Sequence, residues 1–448
     1  MRLWIKNPLA ILAEGDAGGG VVVDGAKIVE LVASGRSPSA PVDETYDASR
    51  HVVIPGLVNT HHHMFQTLTR AHPAAINKEL FPWLDALYPI WAKNVRIDAF
   101  RLATRLSLTE LLMSGCTTAS DHHYLYTPTM DNAMDVQAEE AGKLGMRMTL
   151  TRGSMNLTVE EGGSAIPGTV QDTDTIMADC ERVVGKYHDA SEGAMLKVAL
   201  APCAPFNVKK EVMVLSAQMA EKYDLRLHTH LAETRDETAY CLEHFQCRPV
   251  DYLEEVGWMN HRVWLAHGIH FNDDEVKRLG HACVGVCHCP TSNMVLASGQ
   301  CRTKELDAAG SPVGLGVDGS ASNDNSNLME SLRHALMIGR LTYDAASVTH
   351  FDVYKWATEG SARCLGRDDI GKLAAGKQAD MAMFTLDELR FSGAGDPLAA
   401  LILCGAHAAD RVMVAGKWRV TDGAPLGVDV ARLRYEHGEA AKKFLEAL

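Results

Sequence analysis

The chain has 448 residues, 46% of them apolar and 22% charged, and a net charge of −14. That length suits a large catalytic domain with a smaller companion. The acidic balance speaks against a nucleic-acid partner, because polyanions recruit basic faces, and favours a small-molecule substrate.

The start, Met1-Arg2-Leu3-Trp4-Ile5-Lys6, lacks the apolar stretch and cleavage site of a secretory leader. No run of about eighteen uncharged apolar residues predicts a membrane span. Residues 1–50 read as short β pieces with turn signals at Gly18-Gly19-Gly20 and Asp24-Gly25. Short apolar runs then recur, each leading to polar or metal-capable residues. Val52-Val53-Ile54 leads to His61-His62-His63, Thr117-Thr118-Ala119-Ser120 to Asp121-His122-His123, and 146–150 to Arg152. Val198-Ala199-Leu200 leads to Cys203, Leu225-Arg226-Leu227 to His228-Thr229-His230, and Val263-Trp264-Leu265 to His267. The last two are 284–287, leading to Asn293, and 313–317, leading to Asp318.

Amphipathic segments such as 99–114, 130–144 and 209–222 separate these runs. Alternating strands and helices predict parallel βαβ units. Eight of them predict an α/β fold, a closed (β/α)8 TIM-type barrel over 55–365 with its chemistry at the C-terminal strand ends. Segments 379–384 and 411–416 read as further strands. The flanks, 1–54 and 366–448, are expected to pair into one small β-sandwich domain, with 428–448 as a closing helix.

Eleven cysteines, an odd number in so long a chain, are not a disulfide framework. Reduced thiols fit a cytosolic location. Cys287-His288-Cys289 lies in an apolar run and reads as buried strand, since no second pair stands at zinc-finger spacing.

In a strand, residues two apart share a face, so His61 and His63 can converge on one ion while His62 points away. His228 and His230 also share a face, and spacing does not choose between them. His267 and Asp318 close two later strands. Three imidazoles and a carboxylate suit one Zn²⁺, or Fe²⁺, with water completing the shell. Glu233 and His267 are then left for proton transfer and for orienting the electrophile.

Pro55-Gly56-Leu57-Val58-x-x-His61-x-His63, His230-x-x-Glu233, His267 and Asp318 together resemble the amidohydrolase superfamily, in its mononuclear deaminase branch. Cys289-Pro290-Thr291-Ser292-Asn293 and the stretch from Gly371 to Asp380 are similar to the same branch, so the likeness covers nearly the whole chain. It implies His61, His63, His230 and Asp318 as metal ligands. It also implies a proton path in which Asp318 takes a proton from water, Glu233 delivers one to a ring nitrogen, and His267 orients the attacked centre. Members with two metals bridge them through a lysine ending the fourth strand. Here that end reads Ala201-Pro202-Cys203, so one metal is expected. A homo-oligomer is the family-like state.

Gln66, three residues after His63, matches the purine-reading amide of guanine deaminases, but Cys203 replaces their arginine. Trp91 stands where adenosine-type members carry a ribose-binding glutamate, and an indole covers a flat ring rather than accepting from a diol. The residues from Leu80 to Trp91, with Ser120 to Tyr124, most resemble 8-oxoguanine deaminases. The expected reaction is therefore hydrolysis of 8-oxoguanine to urate and ammonia, with isocytosine, guanine or s-triazines as alternatives. Gln66, Trp91, Cys203, Arg152 and His122 are the expected substrate contacts.

Overall fold

The computed structural model describes residues 1–446. Its centre is a ring of short parallel strands: β1 (Leu57–Asn59), β2 (Cys116–His123), β3 (Arg147–Ser154), β4 (Leu196–Pro202), β5 (Arg226–Leu231), β6 (Val263–His267), β7 (Gly285–His288) and β8 (Val313–Leu315). Each bonds to the next in chain order. The ring shuts where the Thr60 N–H donates to Leu315 O at 3.0 Å and where His62 and His63 pair with Asp318 and Gly319 in parallel register. This is the (β/α)8 barrel that the alternating pattern predicts.

One expected strand moves. Val52-Val53-Ile54 belongs to the strand His51–Pro55, which pairs with Met381–Thr385 outside the barrel. The first barrel strand begins only after Pro55-Gly56. Gly56 sits so close to Thr117 that a Cβ would fall 2.2 Å from its hydroxyl oxygen, so only glycine lets the chain enter the barrel there.

The helices that feed the strands include α1 (Leu80–Asn94), α2 (Ile97–Met113), α3 (Ala133–Leu144), α4 (Thr173–Tyr187), α5 (Lys210–Tyr223) and α6 (Arg235–His244). Strand side chains alternate between the barrel axis and these helices. On β3, Met148 and Leu150 join the apolar layer of the main core.

Both chain ends contribute to the flanking sheets. One holds Arg2–Lys6, Gly20–Asp24, Lys27–Val32 and Glu44–Asp47. The other holds Ala10–Ile11, His51–Pro55, Met381–Thr385, Arg411–Val414, Lys417–Thr421 and Ala424–Pro425. Leu3, Ile5, Val21, Val53, Met381 and Met413 share one apolar core drawn from the two sheets. A buried ion pair ties this layer to the barrel: Arg147 Nε on β3 meets Asp380 Oδ2 at 2.7 Å.

The last helix is Val430–Leu445, and the expected continuation through 447–448 lies outside the described residues. It docks beside the turn Met64–Thr69, where His437 Nε2 is 3.0 Å from Thr67 Oγ1. The site is thereby buttressed from behind by the end of the chain.

Candidate active site

The C-terminal strand ends bring His61, His63, His230 and Asp318 together. His63 Nε2 and His230 Nε2 are 3.1 Å apart, and Asp318 Oδ1 is 3.2 Å from His61 Nε2 and 3.3 Å from His63 Nε2. In each imidazole the other nitrogen is already committed. His63 Nδ1–H donates to His122 O at 2.8 Å and His230 Nδ1–H to Cys203 O at 2.7 Å. His61 Nδ1–H donates to His228 Nε2 at 2.8 Å, while His228 Nδ1–H donates to Trp264 O at 2.8 Å. All three Nε2 lone pairs therefore point at one place, as a metal site requires of its histidines. His61 Nε2 is fully buried with no hydrogen-bond partner, so its lone pair lacks the partner that a cation would provide. The donor set fits a divalent ion.

Burial lowers all three imidazoles, His63 to about 3, so they stand neutral and able to ligate. Burial alone would raise Asp318, but the neighbouring rings of His61, His267 and His63 outweigh it and hold the carboxyl well below the usual range. His62, the middle residue of the triple, points away to Ser326 Oγ at 2.9 Å.

Glu233 and His267 face each other across the mouth of this cluster. His267 Nδ1–H donates to Asn293 Oδ1 at 2.9 Å, which aims Nε2 at Glu233 Oε2, 3.4 Å away, and Asp318 Oδ2, 3.9 Å away. Burial pushes Glu233 up to about 7, with Asp318 adding to the rise and His267 opposing it. Burial lowers His267, yet the carboxylates of Glu233 and Asp318 and the Asn293 contact more than offset this and raise it. A carboxyl poised near neutrality beside an imidazole suits proton transfer in either direction. Ala232, His267 and Asp318 all adopt left-handed backbone, at φ +54, +72 and +64. Such strain in non-glycine residues gathers where side chains must be aimed.

A model of the amidohydrolase family matches residues 52–419. The chain belongs to the amidohydrolase family. An 8-oxoguanine deaminase of Pseudomonas aeruginosa is 57% identical over 446 residues, covering 99% of each chain. A hydroxydechloroatrazine ethylaminohydrolase of a Pseudomonas species is 38% identical over 82% of this chain and 77% of its own. Among solved structures, an atrazine chlorohydrolase of Arthrobacter aurescens complexed with zinc superposes with a TM-score of 0.92 at 30% identity, covering 98% of this chain and 100% of its own.

In this amidohydrolase the cluster opens into a cavity at the C-terminal face of the barrel. Gln66, Cys203, His63, His230, Glu233, His267 and Asp318 line it, as does one face of α1 through Leu80, Trp83, Leu84 and Tyr88. The side chain of Gln66 rests against Gly319, where a Cβ would fall 1.8 Å from its carbonyl oxygen. Burial keeps the Cys203 thiol protonated.

Three expected contacts lie elsewhere. Trp91 sits on α1 about one turn beyond Tyr88, past the cavity. Its ring packs on Phe65 and its N–H donates to Thr69 Oγ1 at 3.0 Å. Arg152 shares the helix-facing side of β3 with Leu150, so its guanidinium pairs with Asp179 at 2.9 Å and stacks on Tyr126. His122 faces the barrel axis but lies beneath the cavity, bonding Ala201 O at 2.9 Å and stacking on His230. Its ring nitrogen comes within 4.8 Å of those of His61, His63 and His230.

Sequence reasoning left several lining residues without a role: Tyr88, Tyr124, Phe206, Asn207 and Ser322. Tyr88 and Tyr124 stand inside stretches used for the resemblance, but nothing local says which way they face. Asn207 and Ser322 come from turns without periodicity.

Proposed function

We infer that this amidohydrolase hydrolyses the amino group of 8-oxoguanine, yielding urate and ammonia. The observation that carries the reading is the convergence of three neutral Nε2 atoms and Asp318 beside a protonatable Glu233, at the mouth of a cavity walled by flat aromatic rings. The substrate follows from the 57% identity to an 8-oxoguanine deaminase over 99% of both chains. His61, His63, His230 and Asp318 would hold a single zinc ion. A divalent cation there supplies Lewis acidity that brings water toward ionisation at neutral pH.

The chain's own groups account for the protons. Asp318, held ionised, takes a proton from the attacking water. Glu233, held near 7 by burial, delivers a proton to the ring nitrogen next to the attacked carbon. Asp318 then passes its proton to the amino group, which leaves as ammonia as the C–N bond breaks, and the proton of the added hydroxyl returns to Glu233 as the carbonyl forms. His267, fixed by Asn293, orients the oxygen that adds to that carbon. Gln66 and Cys203 contact the base, and the α1 face covers its ring.

The test is ammonia release from 8-oxoguanine, isocytosine and hydroxyatrazine-like rings. Turnover of 8-oxoguanine is expected to lead; none, with strong triazine turnover, would sink the substrate assignment. Glu233→Gln should cut kcat by about 100-fold or more while metal content stays at that of the parent. Metal analysis of purified enzyme should find one ion per chain, and chelation should abolish activity until zinc is returned.

A further inference from the structure

Glu237 is fully buried, and among the described residues no lysine or arginine pairs with it. It occupies the third position of α6, whose N-cap is Thr234. Thr234-x-x-Glu237 is a capping-box sequence, and Thr234 does its share by accepting from Glu237 N at 3.3 Å. In such a box the glutamate returns to the backbone N–H of the cap residue. Here it does not. Its two oxygens take the N–H groups of Ala232, at 2.8 Å, and of Glu233, at 2.9 Å.

Both partners matter. Ala232 is held in left-handed backbone at φ +54, a conformation that a residue with a side chain adopts only at a cost. Glu233 follows directly. A carboxylate buried without a cation is expensive unless its hydrogen bonds are good. A cap alone would not need it so deep or so far upstream.

We propose that Glu237 is a positioning residue whose carboxylate clamps the Ala232 and Glu233 amides, fixing the direction in which Glu233 presents its proton to the substrate ring. The proposal rests on the reading of Glu233 as proton carrier. The side chain of Glu237 never meets the base; it acts through the peptide it holds.

Two variants release the clamp differently. Glu237→Gln turns an N–H toward one of the two backbone donors, and Glu237→Asp keeps the charge but falls one methylene short. Each is expected to lower kcat for ammonia release from 8-oxoguanine by about 10- to 100-fold, with KM within about threefold and metal content unchanged. Thr234→Ala removes the cap but leaves the clamp, and keeps kcat within about twofold. Residual activity of Glu233→Gln/Glu237→Gln should equal that of Glu233→Gln alone, because one acts through the other. Multiplied losses in that double variant, a Thr234→Ala loss matching Glu237→Asp, or parental kcat in Glu237→Asp would each overturn the proposal. Should Glu237→Gln fail to fold, Glu237→Asp decides. An active Glu233→Gln would defeat the proton-carrier reading instead, whatever the Glu237 variants do.

Discussion

At the scale of single residues, direction matters more than identity. Tyr88 and Trp91 are both buried aromatic residues on α1, yet only Tyr88 reaches the cavity. Tyr88→Phe is therefore expected to raise KM for 8-oxoguanine, since it removes a hydroxyl from the cavity wall. Trp91→Phe should leave KM alone but lower the melting temperature, because it empties part of a site packed on Phe65 and strips Thr69 of its indole donor. Steady-state kinetics and thermal unfolding of the two variants check this, and a KM change confined to Trp91→Phe would refute it. The shared side of His61 and His63 was legible because the two follow a period of two at a strand end, while His230 and Asp318 were reached through the resemblance. Arg152 and His122 were not legible, since each reads as polar at a strand end while one faces the helices and the other lies under the cavity. His228 shows the limit of spacing. It shares a face with His230, and only the structure shows its Nε2 turned to His61 Nδ1 at 2.8 Å.

At the scale of elements, the strand-helix alternation survives intact while its first boundary shifts. The run 52–54 has the composition of a barrel strand, but it pairs with Met381–Thr385, and no local signal distinguishes two sheets separated by a Pro-Gly step. The C-terminal helix Val430–Leu445 offers a pH test. Burial, aided by the nearby Arg70 charge, lowers His437 to about 4. When the helix is undocked the imidazole should titrate near its ordinary value of about 6.5. A depressed histidine gives docking stability that is complete above about 6.5 and is lost as pH falls from there toward about 4, because only the undocked form takes up the proton in that window. Protection of the 430–445 amides, measured against their intrinsic exchange rate at each pH, should fall between pH 7 and pH 5 in the parent and change far less in His437→Gln. Equal pH dependence in both would remove His437 as the cause.

At the scale of the whole molecule, a buried ion pair joins barrel and flanking sheets. Arg147 and Asp380 are almost without solvent exposure, at 0% and 2%, and Asp380 Oδ1 also accepts from Ala415 N at 2.7 Å. Arg147→Met leaves a carboxylate buried without its cation and should cost about 3–5 kcal/mol in urea unfolding. Adding Asp380→Asn should recover part of that, because the orphaned charge is gone. A single variant within about 1 kcal/mol of the parent would show the pair is not what holds the layers together. The stretch ending in Asp380 was legible as a family feature, but its partner lies 233 residues earlier, and nothing in either segment names the other.

The barrel shuts along Thr60, His62 and His63 on one side and Leu315, Asp318 and Gly319 on the other. Asp318 N–H itself donates to His61 O at 3.1 Å, so residues of the cluster are also the last stitches of the ring. A growing chain acquires its catalytic cluster only when the eighth strand arrives to complete the circle. No shortened barrel can then be a weaker version of the enzyme. Conversely, a cation held by His61, His63 and Asp318 would fasten the first strand to the last, and stripping it should loosen the circle there before anywhere else.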